Sequence, residues 1–564
     1  MKLNIYPNRP KYFNMEKVSF AGFCNFCRNN LPLMLTVSVT LFFTYGIRLF
    51  CYSVGIDTEF FMADRADKNR WLVSLGRFGQ VLLSNTWRIR EFNPFTGFFI
   101  AFCLIWVFTM SWSYIIAIFN GNTGRDNALI PFALVFMTVP IWAEQFFFTF
   151  QAAENAFIIA LSPYVVYLMY KGFLDNEKGK IICATILLVF MTSVYQAIVP
   201  LFICGVFICF ILLQEHSNYE PQVYRKLCLK LFVALVTAMV VYSMIDRVII
   251  PAIFNIERAV YWDNMNRWGR QPISETILTI LAFGYVIFIG HIPQIHEMVI
   301  PILATFASAD MLERFTTHHA SMIAARTFLL FPVAIFFLIK IVAFMRTKIP
   351  SGRKLLYTLA GIGVPLSIML LTFIGGNMTP LRALYALPLA YAFMFFYSIN
   401  QSINKTVAVV VTCFALFGAA YQAQLTAQLF YSDQVRHRED IRIAHELNDL
   451  IMQVQPDNEK LPVALIGGYR MAERFSTNFL QGQAIGLSFF EGGVGQDLFF
   501  PTVRALTFMR NLGMHFDIPN REQLIRAYLE SEFMPSFPAL DSVKRSYDVI
   551  VVKLSDDHWF IFQY

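Results

Sequence analysis

The chain has 564 residues, 57% of them apolar and only 15% charged, with 59 phenylalanines. So little charge cannot cover the surface of several soluble domains, which excludes an ordinary water-soluble globule. The net charge of +7 includes no Lys/Arg tract resembling a nucleic-acid footprint, so the basic excess suits membrane lipids and phosphate-bearing ligands. Nine cysteines, none beyond Cys413, imply no disulfide framework.

Apolar runs of about 18 to 25 residues, enough to cross roughly 30 Å of hydrocarbon, recur along the sequence. The arm 1–29 carries Lys2, Arg9, Lys11, Lys17 and Arg28 against Glu16 alone, so the positive-inside bias places it in the cytoplasm. The first run, 30–51, is too long for a signal-peptide core and lacks a small-x-small cleavage site, so it is expected to persist as a span. The loop 52–93 is then outside. Runs at 94–119, 130–147 and 155–170 lead to the basic turn 171–180, which belongs inside. The stretch 181–213 joins two inside loops and is expected to cross twice or fold as a re-entrant hairpin, turning near Tyr195-Gln196 and Pro200.

Further runs lie at 231–250, 276–290, 297–308, 321–344, 355–373, 384–397 and 407–425. Fitted to the basic inside loops 225–230 and 346–354, they give about thirteen crossings with the C-terminus outside. From residue 431 the composition becomes that of a soluble domain. Ile443, Leu447, Leu450 and Val454 form one stripe of a helix at 435–454, and 463–466, 549–554 and 559–562 have strand character. The expected fold class is therefore an all-α polytopic membrane protein with a small α/β domain. Its parts are the arm 1–29, a membrane domain 30–430 and an extracytoplasmic domain 431–564.

The outer loop 52–93 carries the most chemistry. Asp57 and Glu59 follow the first span, then come Arg65, Lys68 and Arg70, and then a stripe of Trp71, Leu75, Phe78 and Leu82 flanked by Arg77. A carboxylate just outside the membrane beside a basic interfacial helix suits chemistry on a phospholipid-like donor. One group takes a hydroxyl proton while the other neutralises phosphate. Asp57 is the candidate base with Glu59 in reserve; the plainer reading of Asp57 is an N-cap for a helix starting at Thr58. Arg70 and Arg77 are candidate phosphate ligands, and Arg70 also suits a headgroup anchor. Arg382, at the outer start of a span, either holds phosphate or snorkels to the headgroups.

Gln151 and Glu154 at one outer turn, and Tyr195 and Gln196 at the same depth, are candidates for a shared polar cavity that binds sugar or acceptor. The loop holding Trp262, Asp263, Trp268 and Arg270 mixes aromatic faces with hydrogen-bonding groups, as a sugar site does; an interfacial aromatic belt has the same composition. Cys24 and Cys27 have metal-like spacing but no second pair nearby, and the adjacent His318-His319 pair is poorly spaced for ligation. No metal site is assigned.

The order of these elements resembles the phage-type O-antigen glucosyl transferase family II, polytopic enzymes that use lipid-linked sugars. The resemblance rests on the acidic first outer loop running through Trp71 to Gly76-Arg77, on Tyr195-Gln196, and on Arg382-Ala-Leu-Tyr-Ala-Leu-Pro388. It also includes Met534-Pro-Ser-Phe-Pro538 and Asp548-Val-Ile-Val-Val-Lys553, so it covers nearly the whole length. One departure is that Thr58 separates two acids that are often adjacent in the family.

The resemblance implies a GT-C type fold in the bacterial inner membrane. It implies transfer of glucose from a polyprenyl-phosphate-linked donor to a cell-surface glycan acceptor on the outer side. In that scheme Asp57 is the base of an inverting displacement. Arg77 and Arg382 supply the countercharge, so no cofactor is required; a divalent cation at the Asp57/Glu59 pair is the other source of it. The alternative from another class is a transporter or flippase of lipid-linked sugars. Its polar site belongs near mid-bilayer, whereas the polar residues here gather at one face.

Overall fold

The computed structural model describes residues 18–87, 93–217, 219–259, 266–289, 299–300, 305, 308, 311–312, 330–346, 351–402, 404–455, 460–471, 479–491 and 499–556. Helices dominate. In chain order they are α1 (Phe20–Asn29), α2 (Leu31–Phe50), α3 (Thr58–Ala63), α4 (Arg65–Ser74), α5 (Phe78–Trp87), α6 (Pro94–Phe119), α7 (Leu129–Thr138), α8 (Ile141–Phe146) and α9 (Ala152–Leu174). There follow α10 (Lys178–Val194), α11 (Ile198–His216), α12 (Pro221–Met244), α13 (Ile250–Phe254), α14 (Ile273–Phe288), α15 (Leu330–Arg346) and α16 (Ser351–Leu366). The last are α17 (Leu370–Gly375), α18 (Ala386–Asn400), α19 (Lys405–Val454), α20 (Phe499–Asn511) and α21 (Arg521–Ser531), with strands β1 (Val463–Ile466), β2 (Val543–Ser546) and β3 (Val549–Lys553).

Among the described residues, seven helices are long and apolar enough to cross a membrane. This is consistent with a polytopic membrane protein. Pro221–Phe254 buries only 17% of its most apolar window, leaving Leu229, Phe232, Val233 and Val240 facing outward. Such a face suits lipid and would be costly in water.

Several expected runs fold differently in detail. The run 130–147 breaks into α7 and α8 at Val139-Pro140, where proline withholds a backbone N–H. The stripe from Trp71 to Leu82 breaks between α4 and α5, because Gly76 adopts φ 76°. The run 407–425 and the helix 435–454 are one 50-residue helix, α19; no Gly or Pro interrupts the sequence from 419 to 455. The turn near Tyr195 is present, between α10 and α11. Strands form at 463–466 and 549–553, whereas 559–562 and most of 297–308 lie outside the described residues.

The chain forms two compact units. The first comprises the described residues up to Gly46, Asn69–Phe146 and Gln151–Ala427. Its α6 packs against α9 and α7, α9 against α10, and α11 against α16 and α18. The α6 start shows how sequence sets the helix: the Asn93 side chain accepts from the Thr96 N–H at 3.1 Å, and Pro94 occupies the first position, where no N–H is needed.

The second unit comprises Ile47–Lys68, Phe147–Phe150 and the described residues from Gln428 onward. Its sheet has the order β1-β3-β2, with β3 parallel to β1 and antiparallel to β2. The central strand β3 is buried throughout, as its unbroken Val-Ile-Val-Val run requires. Leu524, Ala527 and Tyr528 of α21 close the core against Ala464, Ile466, Val549 and Val551.

A buried charge network ties the short segments of this unit to α19. The Arg436 guanidinium contacts Asp433 at 2.6 Å, Asp440 at 2.8 Å and the Val54 carbonyl at 2.7 Å. Arg48 reaches Asp433 at 3.5 Å and donates to Thr149 Oγ1 at 2.9 Å. Charges this deep are tolerated because each meets an opposite charge and further hydrogen bonds.

Candidate active site

Two clusters, one in each unit, gather five of the sequence-predicted residues. In the second unit, Asp57 stands at the N-cap position of α3 with left-handed φ 68°, and its side chain makes no capping hydrogen bond. Its Oδ1 instead faces Arg504 Nη2 at 3.4 Å. Capping therefore does not account for this aspartate. Glu59 is fully buried, and its Oε1 lies 3.2 Å from Arg504 Nε. α20, which packs on α3, positions Arg504, and the guanidinium rests on the Phe500 ring at 4.8 Å. Asn511, also on α20, donates to the Glu59 carbonyl at 2.9 Å. One guanidinium thus serves two carboxylates. Lys68 is buried as well, over the rings of Phe150 at 5.3 Å and Phe60 at 5.8 Å.

The two carboxylates differ in environment. Burial pushes Glu59 up from 4.5 to about 8; Arg504 opposes the rise and Asp57 adds to it. At neutral pH Glu59 mostly holds its proton, while the Asp57 side chain is 25% exposed. Because the folded value lies above the unfolded one, Glu59 contributes stability that is present below about 4.5 and is lost as pH rises through about 8. Glu59→Gln should therefore flatten the decline in melting temperature of the purified protein between pH 5 and pH 9, an effect on the order of a few kcal/mol. Parallel melting profiles for the two proteins would contradict the burial argument.

In the first unit the break at Gly76 aims Arg77. The Gly76 N–H donates to the Val73 carbonyl and the Arg77 N–H to the Leu72 carbonyl, both at 2.9 Å, a left-handed glycine cap that ends α4. Glycine is required twice over, since a Cβ at this position would also meet the Tyr242 hydroxyl and the Asp246 carboxylate. The half-buried Arg77 guanidinium then lies 4.6 Å from the centroid of Tyr195. Tyr195 stacks on Tyr385 at 5.4 Å, and Tyr385 meets Trp142 at 5.6 Å. Gln196 Nε2 donates to the Leu75 carbonyl at 2.9 Å and to the Tyr242 hydroxyl at 2.8 Å, and that hydroxyl donates to the Gly76 carbonyl at 3.1 Å. Asp246 sits in a π-helical turn, Ile245–Ile249, and is paired with Arg258 at 3.2 Å. Among the described residues Arg77 has no carboxylate partner, so its charge is held by an aromatic face and open to an anion.

The structure thus brings Arg77, Tyr195 and Gln196 together, and separately Asp57 and Glu59. Arg382 is half-buried on a 3-10 turn, Leu381–Ala383, three residues before the stacked Tyr385. Gln151 and Glu154 are buried at the start of α9, and Gln151 Oε1 accepts no hydrogen bond among the described residues. Arg70 is exposed on α4. Trp268 and Arg270 occupy an exposed turn tied to the end of α17, with Trp268 Nε1 donating to the Phe373 carbonyl at 2.9 Å. Trp262 and Asp263 lie outside the described residues. Sequence reasoning missed Arg504, which is 447 positions from Asp57, and the aromatic partners Tyr385, Trp142 and Tyr242. Tyr385 stood within the Arg382 motif, but nothing in its spacing marked it as a stacking partner of Tyr195.

The model of the family described as glucosyl transferase GtrII matches residues 46–399. The chain belongs to this family. As a glucosyl transferase GtrII member it takes a sugar donor and a glycan acceptor. The matched segment contains Asp57, Glu59, Arg77, Tyr195, Gln196 and Arg382, and it ends before Arg504. No protein in a comparison with curated sequences matches the chain.

Proposed function

We propose that this GtrII-family protein moves glucose from a polyprenyl-phosphate donor to a cell-surface glycan on the outer side of the bacterial inner membrane, with inversion at the anomeric carbon. The reading carries with it a GT-C type architecture of about thirteen crossings and an extracytoplasmic location for residues 431–564. Asp57 takes the proton of the acceptor hydroxyl as its oxygen attacks the anomeric carbon. The bond from that carbon to the phosphate oxygen breaks, and the departing polyprenyl phosphate gains charge. Arg77 and Arg382 neutralise that charge. Tyr195, Gln196, Gln151 and Glu154 contact the sugar or the acceptor.

The observation that carries the proposal is the Arg77 guanidinium, laid on Tyr195 with no acid partner among the described residues, inside the family-matched segment. A cation held this way fits a phosphate that arrives with the substrate. For the carboxylates, Arg504 supplies the countercharge that a bound cation would otherwise provide.

The test is to incubate the purified full chain in lipid nanodiscs with polyprenyl-phosphate glucose and a cell-surface glycan. Release of polyprenyl phosphate on adding the glycan is the expected result. Movement of intact carrier across vesicle membranes without bond cleavage would replace the transferase with a flippase.

A further inference from the structure

A slot of about 270 Å³ runs between α11, α12 and α16 of the first unit. Val206, Phe210, Cys228, Leu231, Leu356 and Ala360 line it, and its wall is apolar. It exceeds the roughly 150 Å³ at which a dry apolar cavity already takes up benzene. Phe232 and Leu359 form an exposed rim, so the slot opens sideways beside the outward apolar face of α12.

Contacts close both ends. At one, Gly363 brings α16 so near the Phe207 ring that a Cβ would collide with it. At the other, the Arg353 guanidinium lies 4.8 Å from the centroid of Tyr224 and donates to the Gln214 and Ser217 carbonyls at 2.8 and 3.2 Å, while Tyr224 meets the lining Phe210 ring at 6.0 Å. From Arg353 to Gly363 α16 rises about 15 Å. That is the depth of one leaflet of a hydrocarbon core roughly 30 Å thick.

The Tyr224 end is basic. The segments 220–230 and 353–354 hold Arg225, Lys226, Lys230, Arg353 and Lys354 against Glu220 alone. Arg225 and Lys226 are exposed, and Arg225 shares a helical stripe with Phe232 of the rim. An apolar slot one leaflet deep that ends among cations matches a lipid with an anionic headgroup. The sugar carrier meets only the apolar condition. Its phosphate is read at Arg77 and Tyr195, just before the start of α11, whereas Gln214 and Ser217 stand at the other end of that helix, about 28 Å away.

We propose that this slot binds an anionic phospholipid of the leaflet opposite the Arg77 cluster, with one acyl chain between α11, α12 and α16 and the phosphate held by Arg225 and Lys226. The lipid ties α12, which buries little of its own surface, to the helices behind it. This inference does not depend on the transfer chemistry.

The experiment is lipid titration of the purified full chain in detergent, read by native mass spectrometry, with dioleoyl phosphatidylglycerol, dioleoyl phosphatidylcholine and a polyprenyl phosphate. The wild type is expected to hold one phosphatidylglycerol at least about tenfold more tightly than phosphatidylcholine. Ala360→Leu, which sends a larger side chain into the slot, should weaken phosphatidylglycerol by about tenfold or more, as should Arg225→Gln combined with Lys226→Gln at the exposed mouth. Should Ala360→Leu fail to accumulate, Cys228→Leu fills the slot from the α12 side and must show the same loss. Equal retention of the two phospholipids, or unchanged phosphatidylglycerol binding in the filled or the charge-depleted variant, would overturn the proposal. So would displacement of phosphatidylglycerol by an equal concentration of polyprenyl phosphate, which would give the slot to the carrier's tail.

Discussion

Asp57→Asn should lower glucosyl transfer by about 10²- to 10⁴-fold, the usual contribution of a positioned general base, while leaving the amount and melting temperature of the protein nearly unchanged. The substitution is clean for a backbone reason. Asp57 holds φ 68°, and asparagine is among the few residues that enter the left-handed region readily, so the α3 entry geometry survives. Its side chain caps nothing, so no helix-terminal bond is lost. Asp64→Asn is the matched control. Asp64 Oδ1 accepts from the Ala66 and Asp67 N–H groups at 2.9 and 3.0 Å, a capping role that asparagine fills equally well, and transfer should stay at the wild-type rate. If Asp57→Asn keeps more than about a tenth of the activity, Asp57 is not the base.

Arg77→Ala should cost about 10²- to 10³-fold in kcat, the range seen when one stabilising group is removed from a developing anion. The loss should fall mainly on kcat because the phosphate gains charge as it leaves, so the guanidinium contributes more to the transition state than to the bound donor. Arg77→Lys separates charge from shape. Lysine keeps the cation but lacks the planar guanidinium that rests on Tyr195, so it should recover only part of the activity. Tyr195→Phe retains the ring face and should leave kcat within a few-fold of wild type. Full activity in Arg77→Ala, measured as lipid phosphate released per protein, would remove Arg77 from the reaction.

Much of the helical layout was legible because hydropathy is a sum over neighbours. The run 94–119 is α6 end to end, since Asn93 and Pro94 announce its start and an unbroken apolar run follows. The strands at 463–466 and 549–553 were legible from β-branched runs. Local geometry was less so. Gly76 reads as a minor helix defect, yet its left-handed turn ends α4 and sets the direction of Arg77. Nothing in the residues after 425 signalled that α19 would continue without a break, because polar helical sequence reads the same whether it extends a span or starts a new element.

The candidate site divides in the same way. Asp57, Glu59, Arg77, Tyr195 and Gln196 stood out as candidates because acids, cations and amides beside apolar runs are conspicuous. Their partners did not. Arg504 looks like one of many arginines until α20 packs on α3, and Tyr385 looks like one aromatic among many until it stacks on Tyr195. Composition and periodicity alone thus determined that the chain is a many-helix membrane protein, since both are properties of consecutive residues. Which carboxylate keeps its proton, which cation is left open to an anion, and which amides are buried unbonded depended on distances between side chains hundreds of positions apart. Electrostatics and desolvation act through those distances, so only the folded chain decides them.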